Sequence, residues 1–520
     1  MQEKLSRYIQ ESLEKLGIPE TSFVVEYPSD LKMGDYSTNV GIKTGKSSEI
    51  YQHLAVSPPS EVERVELAGP GFINFYLSKE FFQKSLSEIV EKGESFGRGE
   101  HAKGFKVMVE HTDPNPFKEF HIGHLMPNVI GSAIAHIFEW NGAEVKQANY
   151  QGDKGVHVAK AVWALMNGAP LNEAYALGHK AYTEHKQEID ELNKKIYDQS
   201  DEKVNEVYKK GREKSLEYFE DIYKKLNARF DYYFFESETG EVGKKIVLDN
   251  LNKVFEESEG AIVFRGSHTR VFINSQGLPT YEAKDLGNAQ IKYDKYPYDL
   301  SVVVTGNEIK EYFKVVLEAM SKVLPDLAKK TKHLPHGMLK LTTGKMSSRT
   351  GDVITAGSLI EEVKERVKGD EDVAIGAIKY MILRQSIGND IIFDVEKSVS
   401  TEGDSGVYLQ YAHARACSII EKSDLTPAPL LGKERGEIRV IERLLYRFPE
   451  IVERAGAEYA PNYITTYLTE LASSFNNFYA HEQVISDDPD TAYRLRIVEA
   501  FKTVMKNGLD ILGIPAPQKM

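Results

Sequence analysis

Two short strings carry most of the chemistry that can be read from this chain: His121-Ile122-Gly123-His124, and Lys345-Met346-Ser347-Ser348-Arg349. The first follows an apolar strand pattern and opens a helical one. Its histidines stand three residues apart, so a helix start puts both imidazoles on one face. A helix N-terminus offers unpaired amides and partial positive charge, which suit phosphate. Gly123 lets a flat adenine or ribose come close to the backbone. The second string follows a strand-like run at 338–341. A loop carrying Lys345, Arg349 and Gly351 is suited to close over a triphosphate and to stabilise charge on departing pyrophosphate. Singly, the strings would read as surface histidines at a cap and as a basic surface loop. Together, in this order and on these elements, they predict an ATP site on a Rossmann-type sheet. A zinc pair at His121 and His124 is disfavoured, because no third ligand is evident nearby.

The elements that must position these strings follow from hydrophobic period. Residues 106–110 read as a strand. The stripe Ile130, Ile134, Ile137 and Phe138 marks the helix after the first string, and Gly142 ends it. A further strand at 144–148 leads to Gln151-Gly152-Asp153. This order predicts a doubly wound sheet with ligands at the strand C-termini. Upstream, Leu5, Ile9, Leu13 and Leu16 share one face of a helix at 3–16, strands are expected at 23–27 and 72–77, and a helix at 79–92 closes a small α+β unit. The glycine-rich stretch 92–104 reads as a linker. Residues 184–228 read as a solvated helical hairpin inserted into the sheet, and from about residue 396 the pattern is helical to residue 520.

Composition sets the outer bounds. The chain is 41% hydrophobic and 28% charged, with no apolar run of membrane-spanning length. Its one cysteine, Cys417, excludes an intramolecular disulfide and a cysteine-rich metal site, and fits a reducing cytoplasm. The N-terminal residues lack the continuous apolar stretch of a signal peptide. The net charge of −13 argues weakly against a nucleic-acid binder, although an acidic protein can still carry a basic face.

Taken with their surroundings, the strings resemble the signatures of class I aminoacyl-tRNA synthetases, and within them the arginyl-tRNA synthetases. Residues 110–120 (EHTDPNPFKEF) resemble that family's approach to its first signature, and Tyr281-Glu-Ala-Lys-Asp285 its tyrosine–aspartate motif. Residues 406–415 (GVYLQYAHAR) and 506–520 (KNGLDILGIPAPQKM) resemble its anticodon-binding domain, and 28–39 and 68–77 its N-terminal module. The resemblance implies three units. These are an α+β domain at 1–95 that binds the tRNA elbow, a Rossmann catalytic domain at 96–395 with a helical insert at about 160–260, and an all-α anticodon-binding domain at 396–520.

It also implies the roles of individual residues. Glu110 and Asp285 are the expected partners of a guanidinium, helped by Tyr281, with Asp113, Asn115 and His124 also at the amino acid. A guanidinium favours bidentate carboxylates, so this is chemically apt; a structural ion pair is the other reading of Glu110 and Asp285. His121, Gly123, His124, Lys345, Met346 and Ser347 are expected at ATP. His121, His124, Lys118, Lys345 and Arg349 are expected to act on the phosphates, with magnesium accompanying ATP and no protein-bound structural metal. Phe72, Asn74, Tyr408, Tyr411, Arg415 and Met520 are expected at tRNA. Activation is expected to need bound tRNA, and the chain to be a cytoplasmic monomer.

Two departures stand out. Ser348 replaces the signature's second lysine, with Lys118 as the compensating charge. Ile309 and Tyr312 fall where the family often has Gln and His. Competing readings are a relative that charges a small acceptor and a silent paralogue that only binds tRNA.

Overall fold

The computed structural model describes residues 1–342, 354–423, 438–487 and 490–520. Lys106–Glu110, whose apolar centre Val107-Met108-Val109 is buried on both faces, lies at the middle of a five-stranded parallel sheet. The order across it is Thr331–His336, Leu300–Gly306, Lys106–Glu110, Glu144–Gln151, Tyr232–Phe235. In chain order this is 5-4-1-2-3, so the connections from the central strand run out on opposite sides. The reversal opens a crevice at the C-terminal ends of the Lys106 and Leu300 strands. The helix Ile122–Trp140, apolar over most of its surface, packs across the sheet. Asn141 caps it and Gly142 follows at φ +92°.

Three expectations change here. The insert is shorter than 160–260, because Tyr232–Phe235 is the sheet's own edge strand. The inserted hairpin, Lys186–Asp198 and Glu202–Lys225, is not simply solvated. Phe219, Ile222 and Tyr223 of its second helix are buried in the main core, and Phe120 packs edge-on against Phe219 and Tyr223. Charged residues cover only the other face of that helix. The stretch 92–104 is a docked joint rather than a free linker: Phe96 is buried, and Asn507 donates 2.9 Å hydrogen bonds to the carbonyls of Gly93 and Phe96.

The N-terminal unit is an antiparallel sheet ordered Val25–Glu26, Tyr36–Thr38, Phe72–Leu77, Val62–Ala68, flanked by Gln2–Lys15 and Lys79–Lys92. The strand expected at 23–27 is only two residues long. The C-terminal helices, chiefly Gly406–Lys422, Asn462–His481 and Thr491–Ile511, share one continuous apolar core with the sheet. No helix among the described residues is long and apolar enough to cross a membrane.

Candidate active site

The crevice encloses about 450 Å³. Gly123 and Pro127, at the start of the Ile122 helix, line it. So do the carboxylates of Glu110, Asp113, Asp285 and Glu236 and, at or just beyond the ends of the Leu300 and Thr331 strands, Thr305, Gly306, Glu308 and His336.

At the helix start the His121 and His124 rings stack, centroids 3.8 Å apart and planes at 20°. His121 Nδ1 accepts from Gly123 N at 3.0 Å, and His124 Nδ1 accepts from His121 N at 3.4 Å, a reciprocal cap. Both rings therefore keep their proton on Nε2. Burial pushes His121 down to about 4 and His124 well below its usual range, so both are neutral donors at pH 7.

The expectation of free helix amides is overturned. Ile122 N donates to Ile354 O at 3.1 Å, Gly123 N is taken by His121, and His124 N by His121 O. A phosphate here meets side chains rather than bare backbone. Pro127 does leave one group open, since it has no N–H for the carbonyl of Gly123.

The same pairing joins residues 354–356 to the helix start. Ala356 N donates to Phe120 O at 2.8 Å, and Thr355 bridges His121. Lys345, Met346, Ser347, Ser348 and Arg349 lie outside the described residues. Their flanks are the strand Leu339–Leu341, paired with Ile391–Phe393, and this contact at the helix start.

The loop between strand and helix is strained. Thr112, Asp113 and Phe117 hold φ values of +83°, +44° and +70°. Side chains hold it there: Asp113 accepts from Tyr150 N at 2.8 Å, Asn115 Oδ1 from Gly152 N at 3.0 Å, and Ser215 Oγ from Phe117 N at 2.9 Å. Lys118 lies 4.6 Å from the Tyr175 ring centroid, and burial lowers its pKa.

The two expected guanidinium partners differ in their surroundings. Glu110 Oε2 lies 2.8 Å from Lys292 and accepts from Asn288 at 2.9 Å, so this carboxylate is part of a buried ion pair as well as of the cavity lining. Asp285 accepts only from Tyr312 Oη, at 2.6 Å, among the described residues, and burial pushes it up to about 7. Tyr281, 57% exposed, precedes Asp285 by one turn. Ile309 and Tyr312 both line the cavity. Sequence reasoning missed Tyr150, Glu236 (2.6 Å from Lys284) and His336. All three sit at strand ends, where the strand-terminus rule could have found them, but no motif marks them.

The expected tRNA residues separate in the same way. Tyr411, Arg415 and Met520 line one groove of about 720 Å³ on the C-terminal helices. Arg415 lies between the rings of Tyr411 and Tyr479, at 4.8 and 5.3 Å. Tyr408 is not in the groove and packs on the core. Asn74 is 3% exposed and accepts from Ser37 Oγ at 2.7 Å, so its side chain belongs to the N-terminal sheet and not to a surface contact. Phe72 is half-buried at the end of its strand.

Three comparisons with known proteins agree. Residues 85–395 match the family "tRNA synthetases class I (R), catalytic domain", 409–520 the "DALR anticodon binding domain", and 3–77 the "Arginyl tRNA synthetase N terminal domain". The chain is 30% identical to the arginine–tRNA ligase of Halothermothrix orenii, covering 100% of this chain and 99% of that one. It is 31% identical to that of Streptococcus pyogenes serotype M4, covering 89% and 88%. The solved arginyl-tRNA synthetase of Thermus thermophilus superposes with a TM-score of 0.82 at 26% identity over the whole of both chains.

Proposed function

The chain belongs to the arginyl-tRNA synthetase family of class I and ligates arginine to tRNA using ATP, and from that premise we propose how its residues divide the work. The observation that carries the division is one cavity at the His121–His124 helix start lined both by a cluster of carboxylates and by the ends of the Leu300 and Thr331 strands.

Asp285, kept in place by Tyr312, takes the guanidinium. Glu110 and Lys292 hold the floor beneath it. Asn115 orients the α-carboxylate, which attacks the ATP α-phosphate in line and expels pyrophosphate. The neutral Nε2–H groups of His121 and His124 donate to the phosphates. Lys118, with Lys345 and Arg349 from the second signature, neutralises the leaving charge, and Mg²⁺ enters on the triphosphate rather than in a protein cage. The tRNA terminal 2′-OH then attacks the carbonyl of the arginyl-adenylate, the acyl–phosphate bond breaks, and AMP leaves as the hydroxyl gives up its proton. Positioning and electrostatics supply the rate, and little proton transfer is needed.

Tyr411, Arg415 and Met520 meet the anticodon loop by stacking and charge, and Phe72 meets the elbow. The units at 1–95, 96–395 and 396–520 act as elbow reader, catalyst and anticodon reader in a cytoplasmic monomer.

The test is arginine-dependent ATP–pyrophosphate exchange with and without tRNA carrying an arginine anticodon. Exchange only with tRNA is expected. Exchange without tRNA would remove the coupling and keep the substrate; its absence in both cases would leave a tRNA-binding paralogue.

A further inference from the structure

Among the described residues lining the cavity, His336 alone has a buried side-chain nitrogen with no hydrogen-bond partner. It closes the strand Thr331–His336 and is 5% exposed. Its Nδ1 lies 2.7 Å from Gly337 O. A carbonyl only accepts, so Nδ1 carries the proton. Burial lowers the ring's pKa, so it is neutral at pH 7 and Nε2 presents a bare lone pair. A buried acceptor left unpaired is costly, so native structures hold few of them and each calls for a partner or a role.

The place identifies the ligand group. His336 is in register with Gly306 on the neighbouring strand, so both point to the same sheet face. Gly306 has no side chain on that face, and the Glu308 carboxylate takes the space a Cβ would need. In the reading above the carboxylates of the lining serve the amino acid. The α-phosphate must lie at the helix start for the substrate carboxylate to reach it. The ends of the Leu300 and Thr331 strands, where His336 stands, are then left to the adenosine. Adenine offers one strong donor pair, its exocyclic amino group.

We propose that His336 Nε2 accepts a hydrogen bond from the adenine amino group of ATP and so selects adenine against bases that lack a donor there. This rests on the ATP reading above and adds a specificity-determining residue to it. A 6-oxo base would set an oxygen lone pair against Nε2, and a base with hydrogen at that position would leave Nε2 unpaired.

The experiment compares kcat/KM for ATP, purine riboside triphosphate (hydrogen in place of the amino group), inosine triphosphate and 2′-deoxyATP in tRNA-supported, arginine-dependent exchange. Wild type is expected to prefer ATP over purine riboside triphosphate by about tenfold or more. In His336→Phe, which keeps the ring and loses the acceptor, that preference should fall to about twofold or less, with the arginine KM and the 2′-deoxyATP ratio unchanged. His336→Gln, which restores an acceptor, should recover part of it.

If the wild type uses ATP and purine riboside triphosphate equally, or His336→Phe keeps the preference, the proposal falls while the ATP reading stands. A changed 2′-deoxyATP ratio would assign the nitrogen to the ribose instead and overturn it. Absence of exchange with every nucleotide would overturn both readings. Should His336→Phe not fold, ¹⁵N-histidine NMR of the wild type decides: the Nε2 signal should shift with ATP and not with purine riboside triphosphate.

Discussion

Asp285 must be an anion to hold a guanidinium, yet its surroundings resist that charge. Burial first, then the charges of Glu110, Glu236 and Glu282, raise its pKa to about 7 against the opposing hydrogen bond from the Tyr312 hydroxyl. An acid with a raised folded pKa keeps its proton while the unfolded chain has lost it. Stability from this group therefore declines as pH rises from about 4 to about 7, and the cost persists above that. Arginine binding runs the other way, because the guanidinium needs the ionised form. The arginine KM is expected to fall as pH rises from 6 to 8. In Tyr312→Phe, which loses a hydrogen bond to a charged group, the midpoint should move up and KM at pH 7 should rise by about tenfold; a flat KM–pH profile would refute Asp285 as the partner. Asp285→Asn removes both effects, so at pH 8 it should abolish exchange while raising the melting temperature, the trade expected where function is bought with strain. Glu110 behaves oppositely. Glu110→Ala leaves Lys292 buried without its carboxylate and is expected to cost about 3–5 kcal/mol in denaturant unfolding. Lost activity there must be read against lost fold.

At the scale of elements, the joint at 93–97 shows why a glycine count misleads. Gly97 sits at φ +97°, and a Cβ on it would lie 2.4 Å from the Phe448 ring. The glycine is there for close approach, not for freedom. Gly97→Ala is expected to lose about 2–4 kcal/mol from the strained φ and the clash together. Phe448→Leu in the same chain should return the clash part and not the backbone part, a coupling that a double-mutant cycle in urea measures. The same distinction separates what was legible in the sequence from what was not. Residues 106–110 and 122–140 announced a strand and a helix through local period, and His121 and His124 through spacing. That placed the crevice. The partners that decide chemistry are distant in sequence: Lys292 for Glu110, Ile354 for the Ile122 amide, Ser37 for Asn74, Phe448 for Gly97. No periodicity records them. The Glu202–Lys225 helix read as solvated because its charged face outnumbers the stripe through Phe219 and Tyr223, and only the packed core reveals which face was used.

Across the whole molecule, one half-buried carboxylate joins the two ends of the chain. Glu450, on the helix Phe448–Ala457, accepts from the hydroxyls of Tyr27 and Tyr36 and from Gln2 N, joining the N-terminal sheet to the C-terminal helices. Arg443 pairs with Asp35 at 2.6 Å, and Tyr446 packs into the N-terminal core beside them. If, as proposed above, tRNA is held at its elbow by one unit and at its anticodon by the other, it gains effective concentration only if the spacing between them is fixed. The catalytic crevice does not touch this joint. Glu450 is held below its usual carboxylate range, burial opposing and its donors prevailing, so its contribution is present at neutral pH and fades as pH falls through its folded pKa. Glu450→Ala is therefore expected to raise the tRNA KM in aminoacylation by about tenfold or more, through lost bivalency, while the arginine and ATP KM values stay within about twofold because no substrate-contacting group has moved. Small-angle scattering of the variant should show a larger radius of gyration at neutral pH, and the wild type should approach it on acidification. If both KM values rise together, the joint shapes the catalytic crevice itself and the separation of tRNA reading from activation fails. If neither moves, the N-terminal unit contributes nothing to tRNA affinity.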